Sequence, residues 1–168
     1  MYRAGDWFVI PLADGTFVPA RVVRHRKPHN VLVYAFAPQA VVPTLDDVAG
    51  LEPGDALTAQ HISGLNIGDE WPLLGGADRF DRTRWKIPEF ESDLRHAFPA
   101  GREVRVAFLD DDLRTVHSFQ APLSELGKRQ PDGVAGAGAF ARWLQFKLDA
   151  GSLVPLRSQP WWDRGPLC

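Results

Sequence analysis

Gly5-Asp6-Trp7-Phe8-Val9-Ile10-Pro11-Leu12, then Ala13-Asp14-Gly15, then Phe17-Val18-Pro19-Ala20-Arg21-Val22-Val23-Arg24 is the stretch from which the fold is read. Two runs of aromatic and β-branched residues flank an Asp-Gly turn. Gly accepts the positive φ of a tight turn, so residues 7–24 read as a β-hairpin. Downstream, Val31-Leu32-Val33-Tyr34-Ala35-Phe36 reads as a strand whose unbroken apolarity implies burial on both faces. Pro38 and Pro43 end it, and Thr44-Leu45-Asp46-Asp47-Val48-Ala49-Gly50 carries an N-cap, first-turn acids and a Gly stop, so it reads as one short helix or turn.

A further strand is expected near 60–67, followed by the loop Gly68-Asp69-Glu70-Trp71-Pro72-Leu73-Leu74-Gly75-Gly76. Residues 77–86 mix charges with Phe80 and Trp85 and read as a solvated linker or edge. Residues 103–119 form a second hairpin around Asp110-Asp111-Asp112. The only strong helical pattern covers 139–149, with Phe140, Trp143, Leu144 and Leu148 on one face and Gly151 as the stop. Phe146 falls outside that stripe and is a candidate contact residue, while Lys147 lies inside it with its ammonium free to reach water. Trp7, Trp71 and Trp143 are expected in the core, and Trp161 or Trp162 at least partly exposed. The expected architecture is mainly β (α+β): a bent antiparallel sheet or partly open β-barrel, with one C-terminal helix packed on it.

A chain of 168 residues fits a single domain, 1–168, and buries roughly 68 to 70% of its unfolded surface. The one cysteine, Cys168, excludes an intramolecular disulfide. No signal peptide or membrane-spanning run is evident, so a cytoplasmic location and no membrane partner are expected. A net charge of −2 supplies no global field for nucleic acid.

The groupings that could carry chemistry are sparse. His25 and His29 have a spacing of four, but Pro28 breaks the helix that would align them, and further zinc ligands are missing nearby. The Asp110-Asp111-Asp112 run lacks the alternation, Gly and distant Glu of a calcium loop, and reads as a turn of solvated carboxylates that could meet a basic partner. Gly133 to Gly138 precedes a helix but matches neither nucleotide fingerprint. Glu89, Glu91 and Asp93 alternate as a glycosidase pair would on one strand face, which ordinary solvent-face alternation also explains. Arg21, Arg24, Arg26 and Lys27, near Tyr34 and Phe36, with Arg82 and Arg84, supply a second reading as a small nucleic-acid-binding β-barrel.

The segments Gly5 to Leu12, Asp14-Gly15, Ala20 to Val23, Val33 to Phe36 and Ile67 to Gly75 resemble the immunity protein 26 family of bacterial polymorphic toxin systems. The resemblance covers roughly the first 75 residues, with Trp71-Pro72-Leu73-Leu74-Gly75 its most particular element. It implies a mainly β, non-catalytic protein that binds and neutralises a cognate toxin by direct contact; from the residues themselves, no cofactor or metal is expected. No catalytic residue is carried over. The partner surface expected from the residues combines Asp110, Asp111, Asp112, Glu89, Glu91, Phe146 and Trp162, and a homo-oligomer is compatible with the sequence.

Overall fold

The first hairpin forms where the residues place it: β1 spans Trp7–Pro11 and β2 spans Phe17–Arg26, antiparallel, with Trp7 opposite Arg21. The computed structural model describes residues 2–26, 30–76, 78, 80–95, 101–133 and 135–163. Lys27, His29 and Cys168 of the sequence readings lie outside them, as does Val134 in the Gly133 to Gly138 stretch. The turn closes with Gly15 at φ +85°, and Asp14 Oδ1 accepts hydrogen bonds from the Thr16 N–H at 2.9 Å and the Thr16 hydroxyl at 2.7 Å.

Next comes β3, Asn30–Ala35, which pairs antiparallel on both sides, with β2 and with β4 at Thr58–Ser63. Its interior position accounts for the unbroken burial of Val31 to Ala35. Between them, Thr44 and Asp47 form a capping box on the single turn α1, Leu45–Val48. The expected strand 60–67 is shorter and shifted. After Ser63 the chain leaves the sheet, and Ile67 opens another helical turn, α2 at Ile67–Glu70, which brings Ile67 and Trp71 into the core. The expected loop 68–76 also contains a strand, β5 at Leu73–Gly75, which adds to the outer edge of β1.

A second sheet is built from β6 (Phe90–Asp93), β7 (Val104–Leu109), β8 (Thr115–Ala121) and β9 (Gln130–Pro131) in the order β8-β7-β6-β9. A two-residue strand, β10 at Ala135–Gly136, returns to the first sheet and gives it six strands in the order β10-β4-β3-β2-β1-β5. The helix α3 runs over Ala137–Asp149, two residues longer at its start than the pattern indicates. Among the described residues the protein is therefore mainly β, with two sheets, one main helix and no closed barrel. Among the described residues no helix is long and apolar enough to cross a membrane.

Period-two alternation sorts the six-stranded sheet into two cores. Phe8, Ile10, Val18, Ala20, Val22, Val31 and Val33 face α3, where Phe140, Leu144, Ile67 and Trp71 complete one cluster. Trp7, Leu32, Tyr34 and Phe36 face the other way, toward Trp85, Phe90, Leu113, Leu156 and Trp161. Residues 77–86 are thus not simply a solvated linker, because Trp85 is buried in the second core. Trp143 is half-buried rather than enclosed, stacked on Phe140 with ring centroids 5.9 Å apart. Trp161 is buried and Trp162 half-buried.

The regular alternation of β2 breaks once. Val22 pairs with Val33 and Arg24 with Leu32, leaving Val23 as the extra residue of a β-bulge. Strict alternation would send Arg21 and Arg24 to opposite faces; the bulge sends both toward the second core.

A buried amide links the two sheets at β4 and β9. Gln130, on β9, accepts at Oε1 from the Thr58 hydroxyl at 2.8 Å and from the Ala59 N–H of β4 at 3.0 Å. Replacing it leaves both donors buried without an acceptor, so Gln130→Ala is expected to lower stability by about 1–3 kcal/mol in urea unfolding. His61, also on β4, is buried with Nε2 unpartnered. Burial pulls its pKa below the ordinary 6.5, with Asp132 opposing and Arg26 assisting. The unfolded chain then takes up the proton first, so this contribution to stability is complete above about pH 6.5 and is lost as pH falls toward the folded value. Urea midpoints at about pH 7.5 and about pH 5.5 are expected to differ less in His61→Leu than in the parent.

Candidate functional site

One concave site grows from a cross-strand row. Trp7 on β1, Arg21 on β2 and Tyr34 on β3 stand opposite one another, so their side chains share a face. Arg21 is only 9% exposed. Its guanidinium carbon lies 5.0 Å from the Trp7 ring centroid and 4.9 Å from those of Phe80 and Trp85. Such contacts contribute about 0.5–1 kcal/mol when exposed and about 2 kcal/mol when desolvated. Arg21 Nε donates to the Gly5 carbonyl at 3.0 Å. Burial pulls the Arg21 pKa down to about 10, helped by the Arg84 charge and opposed by Asp6, so the group stays cationic at neutral pH.

Over Arg21 opens a cleft of about 480 Å³, walled by Trp7, Trp85, Leu45, Leu51 and Pro53. Asp46, Glu52, Asp78, Asp81 and Arg84 join Arg21 as its charged lining. Arg84 pairs with Glu52, and Arg3 with Asp78. Asp81 Oδ1 accepts from the Thr83 N–H and hydroxyl. Gly76, at φ +96°, leaves room at the wall: a Cβ there would stand 3.1 Å from both Leu45 Cδ2 and Trp7 Cδ1.

Arg24 plays the opposite part. Its Nε donates to Asp111 Oδ1 at 2.7 Å, Nη1 to the Val23 carbonyl at 2.9 Å and Nη2 to the Trp85 carbonyl at 3.1 Å. Asp111 also lies 3.5 Å from Arg82, whose Nη2 donates to the Asp111 carbonyl. The middle carboxylate of the acidic turn is therefore directed inward. Asp110 caps the turn, accepting from the Asp112 and Arg114 N–H groups at 2.9 Å each. Leu113 follows at φ +57°, a left-handed conformation that costs a branched side chain about 1–2 kcal/mol. Its burial in the second core offsets that by about 1.5–3 kcal/mol. Only Asp112 extends from this turn without such an internal role.

The remaining expected contact residues separate. Glu91 is buried, a correction to its place on a partner surface: its carboxylate accepts from the Gly127 N–H at 2.6 Å and the Arg129 N–H at 3.2 Å. Burial raises its pKa, against the pull of those donors. Glu89 accepts from Arg129 Nε at 2.8 Å, with both side chains largely enclosed. The alternation 89/91 thus marks one strand face, but that face grips residues 125–130 instead of solvent. Phe146 is 67% exposed on α3, on the far side of the six-stranded sheet from the acidic turn. Trp162 lies under Lys86, whose Nζ is 5.0 Å from its ring and donates to its carbonyl at 2.7 Å. The seven residues do not form one surface.

What pattern reading missed is the outer edge of the second sheet. β8 ends the strand order, and Thr115 to Gln120 are all exposed, including Val116 at 64% and Phe119 at 41%. Phe108, His117 and Phe119 cluster on one face with centroids 5.6 to 6.2 Å apart, over the small core of Val104, Val106 and Ala121. The signal was present in the sequence as Val116 and Phe119 falling on alternate faces of one strand.

Comparison of the chain with models of known families, with curated proteins and with solved structures returns no match.

Removing Asp111 leaves the buried Arg24 with carbonyl partners alone. Asp111 is 63% exposed, so solvent screening discounts the ion pair, and Asp111→Ala is expected to lose about 1–2 kcal/mol. Asp112→Ala should stay within about 0.5 kcal/mol. The hydrogen bond from Arg24 and the charges of Arg24 and Arg82 hold the Asp111 pKa below the ordinary carboxylate value. Its contribution is complete above about pH 4 and is lost as pH falls through the lowered value, so the two variants should converge in urea melts at acid pH.

Proposed function

We propose that this chain is a non-catalytic immunity-type protein that neutralises a cognate toxin by direct contact, and that the β7–β8 hairpin is its docking element. The observation that carries the reading is the open edge of β8. A seven-residue edge strand presents unpaired backbone groups to any extended segment that aligns with it. Exposed apolar side chains on both faces of that strand supply anchors, and the Phe108, His117 and Phe119 cluster adds aromatic area of the kind that dominates interface energetics. Asp112, at the turn beside this edge, favours a basic residue on the partner. The hairpin is held from inside by Asp111 and Leu113, so it is offered to a partner already ordered, which reduces the entropy lost on docking.

The nucleic-acid reading draws on guanidinium groups that the fold already engages. Arg21 and Arg24 are buried, Arg82 meets Asp111 and Arg84 meets Glu52. Such pairing removes much of the cationic surface that phosphate neutralisation requires.

The test titrates the chain with the toxin domain encoded beside it. A 1:1 complex with a Kd below about 1 µM is expected, weakened at least about tenfold by Phe119→Asp or Val116→Lys and unchanged by Phe146→Asp. No complex at about 10 µM, or equal weakening by all three substitutions, would overturn the proposal. So would a homodimer that Val116→Lys dissociates. Binding to single-stranded oligonucleotide that falls steeply with salt would favour the second reading.

A further inference from the structure

We propose that the cleft over Arg21 binds a carboxylate that carries a cationic group close by, as in a free amino acid or in adjacent acidic and basic side chains of a peptide. A guanidinium has five in-plane N–H donors. Nε serves the Gly5 carbonyl, and among the described residues neither Nη has a hydrogen-bond partner and no carboxylate lies within ion-pair distance. The three aromatic rings meet the cation but are not acceptors for its terminal N–H groups, so the demand for acceptors persists. Arg21 as a residue is nine-tenths buried and its terminal N–H groups are left facing the cleft, whereas Arg24, its neighbour on the same face, is met by a carboxylate and two carbonyls.

The shape of the missing acceptor follows from the donor. A planar fork of Nη groups is matched by the two oxygens of a carboxylate. The lining then decides against a phosphate. Glu52 is paired with Arg84 and Asp78 with Arg3, while among the described residues neither Asp46 nor Asp81 forms an ion pair, Asp81 feeling the Arg84 charge only at longer range. A dianion would face both of them. A carboxylate with an adjacent ammonium or guanidinium satisfies Arg21 and meets Asp46 and Asp81 together. The volume, about 480 Å³, falls within the range of small-ligand pockets, and the Trp7 and Trp85 walls cover the apolar part of such a ligand. This proposal is independent of the β8 edge, since no residue of β7 or β8 lines the cleft.

The experiment titrates the full chain with L-lysine, L-arginine and a Lys-Glu-Lys tripeptide blocked at both ends, against acetate, methylamine and inorganic phosphate. Calorimetry is read together with tryptophan fluorescence, because two indoles wall the cleft. Saturable one-site binding at about 1 mM or tighter is expected for a zwitterionic probe, with acetate and phosphate weaker. Binding of the free amino acids alone identifies a metabolite-like ligand, and binding of the blocked peptide alone identifies a chain segment. Either supports the proposal. Arg21→Met should abolish binding; because Arg21 is packed among rings and its loss could unfold the chain, Asp46→Asn and Asp81→Asn carry the test. Both residues are exposed, and each variant is expected to weaken a zwitterionic probe at least about fivefold without weakening acetate. Absence of saturable binding by every zwitterionic probe, phosphate binding as tightly as they do, or unchanged affinity in both rim variants would overturn it.

Discussion

A guanidinium carried into the interior of a β-sheet protein needs acceptors or π faces around it, because removal from water penalises the charge far more than an apolar group gains. The β2 strand buries two, and the way each is met organises this molecule. Arg24 is satisfied by Asp111 and by two carbonyls, and that set ties the turn of the second sheet to the first. Arg21 is met by three rings and a single carbonyl, with the rest of its fork directed at the cleft. Tyr34, in the same row, donates to the Lys86 carbonyl at 2.6 Å and fixes the segment that carries Trp85. One face of the sheet is thus dry through apolar packing onto α3, and the other is assembled around charge.

The two hairpins, the interior strand β3 and the helix α3 are legible in the residues, because alternation, unbroken apolarity and a spacing of three and four each follow directly from backbone geometry. Trp71 was expected in the core as a large aromatic, although the loop reading around it offered no period. What could not be read depends on contacts between distant parts of the chain. The bulge at Val23 changes the face of Arg24 without altering the composition of the strand. Trp85 sits among charges that suggest solvent, and only the sheet face it covers makes it core. Strands as short as β5, β9 and β10 have no period of their own and exist because an edge waits for them.

The candidate surface divides along the same line. Charged residues near Asp110 looked like one acidic patch, yet each carboxylate has a separate duty: Asp110 closes the turn, Asp111 holds Arg24, and Asp112 remains outside. Glu89 and Glu91 read correctly as neighbours on one strand face and were misassigned to solvent, since the segment they hold lies some 40 residues on in the chain. The exposed edge of β8 and the cleft over Arg21 are what stays available once these internal duties are filled. They lie in different parts of the architecture, so recognition of a protein and of a small charged ligand need not compete.

The bridge made by Gln130 has a bearing on how the molecule comes into being. Its amide closes the flank of β4, its own strand flanks β6, and Ala135–Gly136 soon after adds to β4 again. On the ribosome, therefore, both sheets emerge with a raw border that stays open until about 70 more residues have followed β4, a long-range closure of the kind that slows folding. Throughout that interval those borders of β4 and β6 are exposed to mispairing of a kind the finished fold closes off.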